Sequence, residues 1–297
     1  MNTGVELDYR IVDVFTDRAL AGNPLAVVMN TAGLTTEQMQ AIAREFNLSE
    51  TTFVERRAPD VELSEGVRVR IFTTQEELNF AGHPTLGTAS VLRWDAPDTV
   101  QNDTVTLAEN VGPVPVRFAG DGPFGEMTQP DPKFGEELDA QNVARLIGLA
   151  TEDLDPALPP QIVSTGTAFA IVALKSHQAL ARLKVSPQES VDWLRPLGAR
   201  WFYILGPTGD ESPAWRARMQ FNGGEDPATG SAAGCAISYL VHRGAVPSGQ
   251  RIHLRQGVEM GRQSELYLSA HIQSEQVSEV QVGGSTVLVA KGRLFLP

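Results

Sequence analysis

The chain has little of what marks several common protein classes. Cys235 is the single cysteine among 297 residues, so no intramolecular disulfide can form, and a reducing compartment such as the cytoplasm is expected. No window approaches the roughly 18–20 apolar residues of a membrane helix. From Met1 to Val14 the chain carries Glu6, Asp8 and Arg10 and no apolar stretch of signal-peptide length. No basic run is longer than a pair such as Arg56-Arg57, and 36 acidic against 24 basic residues leave a formal charge of −12. Nucleic acid and anionic membranes are therefore not expected as partners. His83, His177, His242, His253 and His271 are dispersed, none at a recognised ligand spacing with Cys, Asp or Glu, so no metal site is expected.

What is present is an ordinary globular composition, 42% hydrophobic and 20% charged. The length favours two domains. The most informative feature is an internal repeat of domain size. Gly22-Asn-Pro-Leu-Ala-Val-Val28 matches Gly166-Thr-Ala-Phe-Ala-Ile-Val172, each a glycine turn feeding an apolar strand. Phe53 of Thr-Thr-Phe-Val matches Phe202 of Arg-Trp-Phe-Tyr. His83-Pro84-Thr-Leu-Gly87-Thr88-Ala89 matches Asp226-Pro227-Ala-Thr-Gly230-Ser231-Ala232. Three matches in one order at nearly one offset imply duplication, with His83 and Asp226 as equivalent residues.

Each half reads alike. Met39, Ile42, Ala43 and Phe46 follow helical spacing, and 66–72 alternates as a strand. A helix opened by His83 or Asp226 comes next, then strands at 104–107 and 114–118 or 251–255 and 265–270. From Ala228 to Ala236 no side chain exceeds Thr or Cys in size, and Thr85 to Ser90 is nearly as small. Such a helix should be surrounded by protein at close range. The expected fold class is α+β, with two lobes, each a sheet wrapped around a central helix. The expected boundaries are an N-terminal lobe at 1–118, a Gly/Pro-rich linker at 119–132 and a C-terminal lobe at 133–286. Residues 287–297 could cross back to the first lobe.

Both motifs place a polar residue and a proline at a helix start, where free N–H groups and partial positive charge suit a carboxylate or phosphate. Gly82, Gly87 and Gly230 would let a ligand approach the backbone. Asp followed by Pro is also an ordinary N-cap and first-turn pair. His is a poor N-cap, so His83 points more strongly to chemistry. Glu50 follows the first helix, and its counterpart under the Phe53/Phe202 match is Ala199. An acid in one half alone suits a role in one site rather than in the fold. Cys235, inside the small-residue helix, reads as packing.

Two other motifs fail. Gly224-Glu-Asp-Pro-Ala-Thr-Gly230-Ser231 lacks the lysine of a phosphate loop, and Glu225 and Asp226 would repel phosphate. In a Ser231, His83, Asp226 triad, the acid five residues before the serine is poorly placed to orient the histidine. No Gly-x-Ser-x-Gly elbow exists.

Asp13-Val-Phe-Thr-Asp17 with Gly22-Asn-Pro24, Asn47-Leu-Ser-Glu-Thr51, Phe80-Ala-Gly-His-Pro-Thr-Leu-Gly87, Glu225-Asp-Pro-Ala-Thr-Gly-Ser231, and Gln256-Gly257 with Met260-Gly-Arg262 run in order along nearly the whole chain. Together they resemble the PhzF-like family of phenazine biosynthesis proteins, isomerases of the diaminopimelate epimerase fold. The resemblance implies two pseudo-symmetric lobes, each a curled, mostly antiparallel sheet around a central helix, and a homodimer. The family's type member moves a proton on dihydro-3-hydroxyanthranilate without cofactor or metal. Its acid/base glutamate matches Glu50. Its substrate-contacting residues match His83, Asp226 and Ser231, with Gly82 and Gly230 lining the pocket. Related racemases use a cysteine from each lobe at the His83 and Asp226 positions. Neither is present here, which excludes a two-thiol mechanism. Thr74, Asn79 and Gln263 depart from prolines common in the family, and the approach Phe221-Asn-Gly-Gly224 is short.

The sequence thus reads as a cofactor-independent isomerase acting on a small carboxylate-bearing substrate, with Glu50, His83 and Asp226 catalytic and Gly82, Gly230 and Ser231 binding. A non-catalytic carboxylate-binding protein and a serine hydrolase using Ser231 are the alternatives.

Overall fold

The computed structural model of the chain describes residues 5–210, 212, 214–221 and 224–296, so Asn222 and Gly223 of the approach to Asp226 lie outside the described residues. The chain divides into two compact units, Met1–Met127 with Gly283–Pro297, and Thr128–Val282.

The first unit opens with β1 (Val5–Val14) antiparallel to β2 (Asn23–Val28). Helix α1 (Thr36–Phe46) begins with a Thr35/Gln38 capping box, buries Met39, Ile42 and Ala43, and stops at Asn47 in the left-handed conformation. Strand β3 (Glu50–Glu55) then runs parallel to β2. After α2 (Pro59–Glu65), β4 (Val67–Phe72) pairs antiparallel with β3 and turns into β5 (Glu77–Leu78). Helix α3 (Gly82–Asp95) follows, then β6 (Val100–Gln101), β7 (Thr104–Glu109), β8 (Gly112–Phe118) and β9 (Phe124–Gln129).

Every residue of α3 from Gly82 to Leu92 is buried, with β1, β2, β3, β7 and β8 packed around it. A helix enclosed on all sides needs small side chains wherever a neighbouring strand comes close. A Cβ on Gly87 would stand 2.7 Å from Leu25 Cδ2 and 2.8 Å from Val14 Cγ2. Gly87 therefore serves close packing, and the ligand approach expected of it is not its role. The helix's hydroxyls find partners inside: Thr88 with Thr52 at 2.8 Å, and Ser90 with Leu86 O at 2.9 Å and Thr286 at 3.1 Å.

The second unit contains β10 (Lys133–Glu137), α4 (Ala140–Ile147), β11 (Gln161–Ser164), β12 (Ala168–Ala173), α5 (Pro187–Leu194), β13 (Phe202–Pro207), β14 (Trp215–Phe221) and β15 (Gly224–Asp226). Helix α6 (Gly230–His242), β16 (Ile252–Gln256) and β17 (Ser264–Gln273) complete its core. Helix α6 is buried from Gly230 to Val241 and packs on β11, β12 and β17. A Cβ on Gly234 would overlap Gln129 Oε1. The last strand, β18 (Gln276–Leu296), leaves this unit after Val282 and pairs with β1 from Thr286 to Leu296.

The two units repeat one topology. In the first, β2–β3 is parallel, β3–β4 and β4–β5 antiparallel, β4–β7 parallel and β7–β8 antiparallel. In the second, β12–β13, β13–β14, β14–β15, β14–β16 and β16–β17 repeat that series. An ion pair fixes the register. Arg70 binds Glu77 through two contacts of 2.9 and 2.6 Å, and Arg218 binds Glu225 through two of 2.8 and 2.5 Å. Arg218, Glu225 and the helix start Gly230 each lie 148 positions after Arg70, Glu77 and Gly82.

That register corrects the sequence alignment. His83 is equivalent to Ser231, whereas Asp226 ends β15 and corresponds to Leu78 of β5. Neither His83 nor Asp226 is the cap: Ala81 and Thr229 are the N-cap residues. Phe53 faces Arg70 and Ile204 faces Arg218, so Phe53 matches Ile204 rather than Phe202, and Glu50 matches Trp201 rather than Ala199. The expected linker at 119–132 also differs, because its middle, Phe124–Gln129, is the strand β9 and the division falls inside that strand. Among the described residues, no helix is long and apolar enough to cross a membrane.

Gly87→Ala should lower unfolding stability by about 1–3 kcal/mol in urea titration, the usual range for forcing a methyl into a packed core. A variant as stable as wild type would show that α3 is not packed this closely.

Candidate active site

In the first unit, Glu50 begins β3 directly after the left-handed turn at Asn47, which ends α1. Parallel pairing of β3 with β2 sets Glu50 beside Leu25, and its side chain remains 17% exposed. His83 sits in the first turn of α3 and is buried. Its Nε2 lies 3.3 Å from Glu50 Oε2. The structure thus brings together two residues that the sequence singled out separately.

Asn23 sets the histidine's tautomer. Its Nδ2 lies 3.1 Å from His83 Nδ1. An amide nitrogen only donates, so Nδ1 accepts and the ring proton sits on Nε2, which makes no hydrogen bond among the described residues despite the nearby Glu50 carboxylate. Burial pushes the His83 imidazole down to about 3, so the ring is neutral near pH 7. Asn23 owes its position to Gly22, whose φ is +66° and where a Cβ would stand 2.3 Å from Val14 O. Asn23 lies in Gly22-Asn-Pro24, one of the segments that resemble the family, and its role emerges only from this contact.

In the second unit, Asp226 ends β15 and its Oδ2 accepts from the Thr229 hydroxyl at 2.7 Å. Ser231 is buried in the first turn of α6. Gln256 braces this region. Its Oε1 accepts from Thr229 N at 3.1 Å and from the Tyr203 hydroxyl at 2.9 Å, and its Nε2 donates to Asp226 O at 2.8 Å and to Thr229 Oγ1 at 3.0 Å. Next to it, Gly257 takes φ +74°, and a Cβ there would meet Arg262 O at 2.3 Å and Pro227 O at 2.7 Å. The segment Gln256-Gly257 with Met260-Gly-Arg262 is therefore the support for the Asp226 loop. Gln256, like Asn23, is a site residue whose signal in the sequence is the resembling segment that contains it.

Neither N-cap side chain closes its helix: Ala81 has no donor or acceptor, and Thr229 makes no cap hydrogen bond. The first-turn amides at Gly82 and His83, and at Gly230 and Ser231, have no intrahelical acceptor. Each start can receive an anion. Cys235 is buried, its thiol is pushed up to about 11 by burial, and it donates to Thr167 O at 3.6 Å. It packs and is not a thiolate.

The sign of the His83 shift gives a test. The folded imidazole protonates near 3, and an unfolded histidine near 6.5. As pH falls below about 6.5 the unfolded chain therefore takes up the proton first. Stability is complete above that pH and is lost toward pH 3, by at most about 1.4 kcal/mol per pH unit. His83→Gln should lose less stability than wild type over this acid range in urea unfolding. Equal acid slopes would mean that His83 is not held buried and neutral.

Comparison with known proteins identifies the family. The family model described as phenazine biosynthesis-like protein matches residues 12–292. The trans-2,3-dihydro-3-hydroxyanthranilate isomerase of Pseudomonas aeruginosa is 36% identical, over 97% of this chain and 99% of its own. An uncharacterised isomerase of Mesorhizobium japonicum is also 36% identical, with the same coverage. The solved structure of a predicted epimerase from Pseudomonas aeruginosa superposes with a TM-score of 0.81 at 34% identity, covering 97% of this chain and 99% of that one. The fold is the α+β architecture of the epimerase-like proteins, a sheet around a central helix in each unit. On this match, the chain belongs to the phenazine biosynthesis-like, or PhzF, family and is an isomerase.

Proposed function

We propose that the chain is a cofactor-independent isomerase that moves a proton on a small carboxylate-bearing molecule, with Glu50 as the proton carrier. The observation that supports this most directly is the 3.3 Å approach of His83 Nε2 to Glu50 Oε2. The neutral imidazole sits beside the carboxylate without a hydrogen bond from Nε2, so a small turn of either side chain would bring the N–H onto the carboxylate as it accepts a proton from carbon. The partial exposure of Glu50 leaves it open to a substrate. Once protonated, Glu50 returns the proton at a second carbon, so the reaction is balanced without any other reagent.

In this reading anionic groups of the substrate are received by first-turn amides, those at Gly82 in the first unit and those at Gly230 and Ser231, with the Ser231 hydroxyl, in the second. Asp226 orients a donor group of the substrate, such as a hydroxyl or amine, and His83 steadies charge that develops as the proton leaves. The activity of the Pseudomonas aeruginosa relative makes trans-2,3-dihydro-3-hydroxyanthranilate the first substrate to test. A cytoplasmic location and a homodimer belong to the same proposal, the first from the single cysteine and the second from the family resemblance.

Glu50→Gln keeps the size of the side chain but cannot carry a proton. It should melt like wild type, bind ligand, and lose turnover by at least about 10²-fold. Wild-type turnover in this variant, on a confirmed substrate, would remove Glu50 from the mechanism. Ser231→Ala should weaken substrate binding by about 0.5–1.5 kcal/mol, the value of one neutral hydrogen bond, read by titration calorimetry. An unchanged affinity would place the substrate's carboxylate elsewhere.

A further inference from the structure

The first turn of α3 rests on an acid for which the proton transfer has no use. Glu109 ends β7 and is 5% exposed. Its Oε1 lies 2.6 Å from Thr85 Oγ1, and that hydroxyl lies 2.7 Å from Ala81 O, the N-cap carbonyl of α3. A hydroxyl has one hydrogen and cannot donate to both oxygens. When Thr85 donates to Ala81 O, its contact with Glu109 is a hydrogen bond only if the acid supplies the hydrogen. The second carboxyl oxygen, Oε2, has no hydrogen-bond partner among the described residues. An ionised carboxylate would hold its charge there at high desolvation cost.

The charged groups on the neighbouring elements are otherwise engaged. On β4, Arg68 donates to Ala108 O at 3.1 Å and to Asn110 Oδ1 at 2.7 Å, and Arg70 is bound to Glu77 of β5. On α2, Glu62 and Glu65 are bound to Arg56 and Arg57. Strand β8 carries Arg117, and between Gly82 and Leu92 of α3 the one titratable side chain is His83, which is neutral.

The second unit solves the same problem with an amide. Val67 pairs with Leu107 and Arg68 with Ala108, as Trp215 pairs with Leu254 and Arg216 with Arg255. The register of the Arg70–Glu77 and Arg218–Glu225 pairs makes these ladders equivalent, so Glu109 corresponds to Gln256. Gln256 binds the N-cap residue of α6, as Glu109 reaches the N-cap carbonyl of α3 through Thr85. A protonated carboxylic acid resembles that amide, uncharged and with both a donor and an acceptor. A carboxylate only accepts.

We propose that Glu109 is a positioning residue: a neutral carboxylic acid that fastens the first turn of α3, and with it His83, to β7, and whose ionisation releases that turn. Burial pushes its carboxyl up to about 8, against the opposing pull of Thr85 and Arg68. The folded chain thus keeps a proton that the unfolded chain releases in the ordinary carboxylate range. The stability linked to it is complete below that range and is lost as pH rises through about 8.

The test uses the whole protein and needs no substrate. Infrared spectra of wild type should show a protonated-carboxyl band at neutral pH that disappears with a midpoint near 8, and Glu109→Gln should lack it. His83 ring resonances should shift with the same midpoint in wild type and stay flat in Glu109→Gln. The melting temperature should fall between the ordinary carboxylate range and about 8, and level off above it, in wild type alone. The proposal is overturned if wild type has no such band at neutral pH, if its His83 resonances ignore the transition, or if both proteins share one decline between the ordinary carboxylate range and about 8. Should Glu109→Gln fail to fold, the wild-type infrared and histidine titrations still decide.

Discussion

Burying a helix on every side is the constraint from which the rest of this structure follows. Helices α3 and α6 have no solvent face over most of their length, so Gly82–Leu92 and Gly230–Val241 carry no Asp, Glu, Lys or Arg, and small residues stand where the surrounding strands come close. Every hydroxyl on them needs an internal partner. Ser90 and Ser238 bond back to carbonyls four residues earlier, and Thr88 meets Thr52. Glycine stands where a neighbour comes within methyl distance, Gly87 against Val14 and Leu25, and Gly234 against Gln129. The polarity that this packing cannot absorb is concentrated at the helix starts, where backbone N–H groups point away from the helix. The composition that allows the packing is thus also what leaves an anion-receptive first turn.

Each start must then be fixed from outside the helix. The half-buried pairs Arg70–Glu77 and Arg218–Glu225 lock the hairpins that lead into α3 and α6. Within this shared frame the two units differ in a consistent way. Three positions are ionisable in the first unit and uncharged in the second: Glu50 against Trp201, His83 against Ser231, and Glu109 against Gln256. Asp226, opposite Leu78, is the exception. Duplication supplied two helix starts of equal geometry, and divergence placed the titratable groups mainly at one of them.

Much of the fold was legible because packing leaves strong periodic marks. The spacing of Met39, Ile42 and Ala43 gave α1, the alternation in β4 gave a half-buried strand, and the small residues of α6 gave a helix without a wet face. Register was harder. His-Pro-Thr-Leu-Gly-Thr-Ala and Asp-Pro-Ala-Thr-Gly-Ser-Ala align well five positions away from their structural match, because small residues resemble one another in any register. A cross-strand ion pair belongs to one register only, but its partners are seven residues apart and leave no local pattern. Asn23 and Gln256 lay inside resembling segments, yet their roles depend on contacts 60 and 27 residues away. Glu109 could have been found: the alternation of Val105 and Leu107 carries it to the inner face of β7.

The electrostatics of the first helix start join these observations. His83 stays uncharged down to about 3, and the carboxyl of Glu109 is held up to about 8. Between those limits the two buried groups flanking the first turn of α3 keep their protonation states. Neither adds a changing charge next to Glu50, which alone of the three remains partly exposed. A general acid/base must gain and lose a proton while its surroundings stay electrically constant, since every neighbouring titration would shift its own affinity for the proton. Asn23 holds the imidazole in one tautomer, and Thr85 holds Glu109 against the N-cap carbonyl. Packing that forbids charge around α3 therefore gives the partly exposed carboxylate at the start of β3 the constant field that the proposed proton transfer requires.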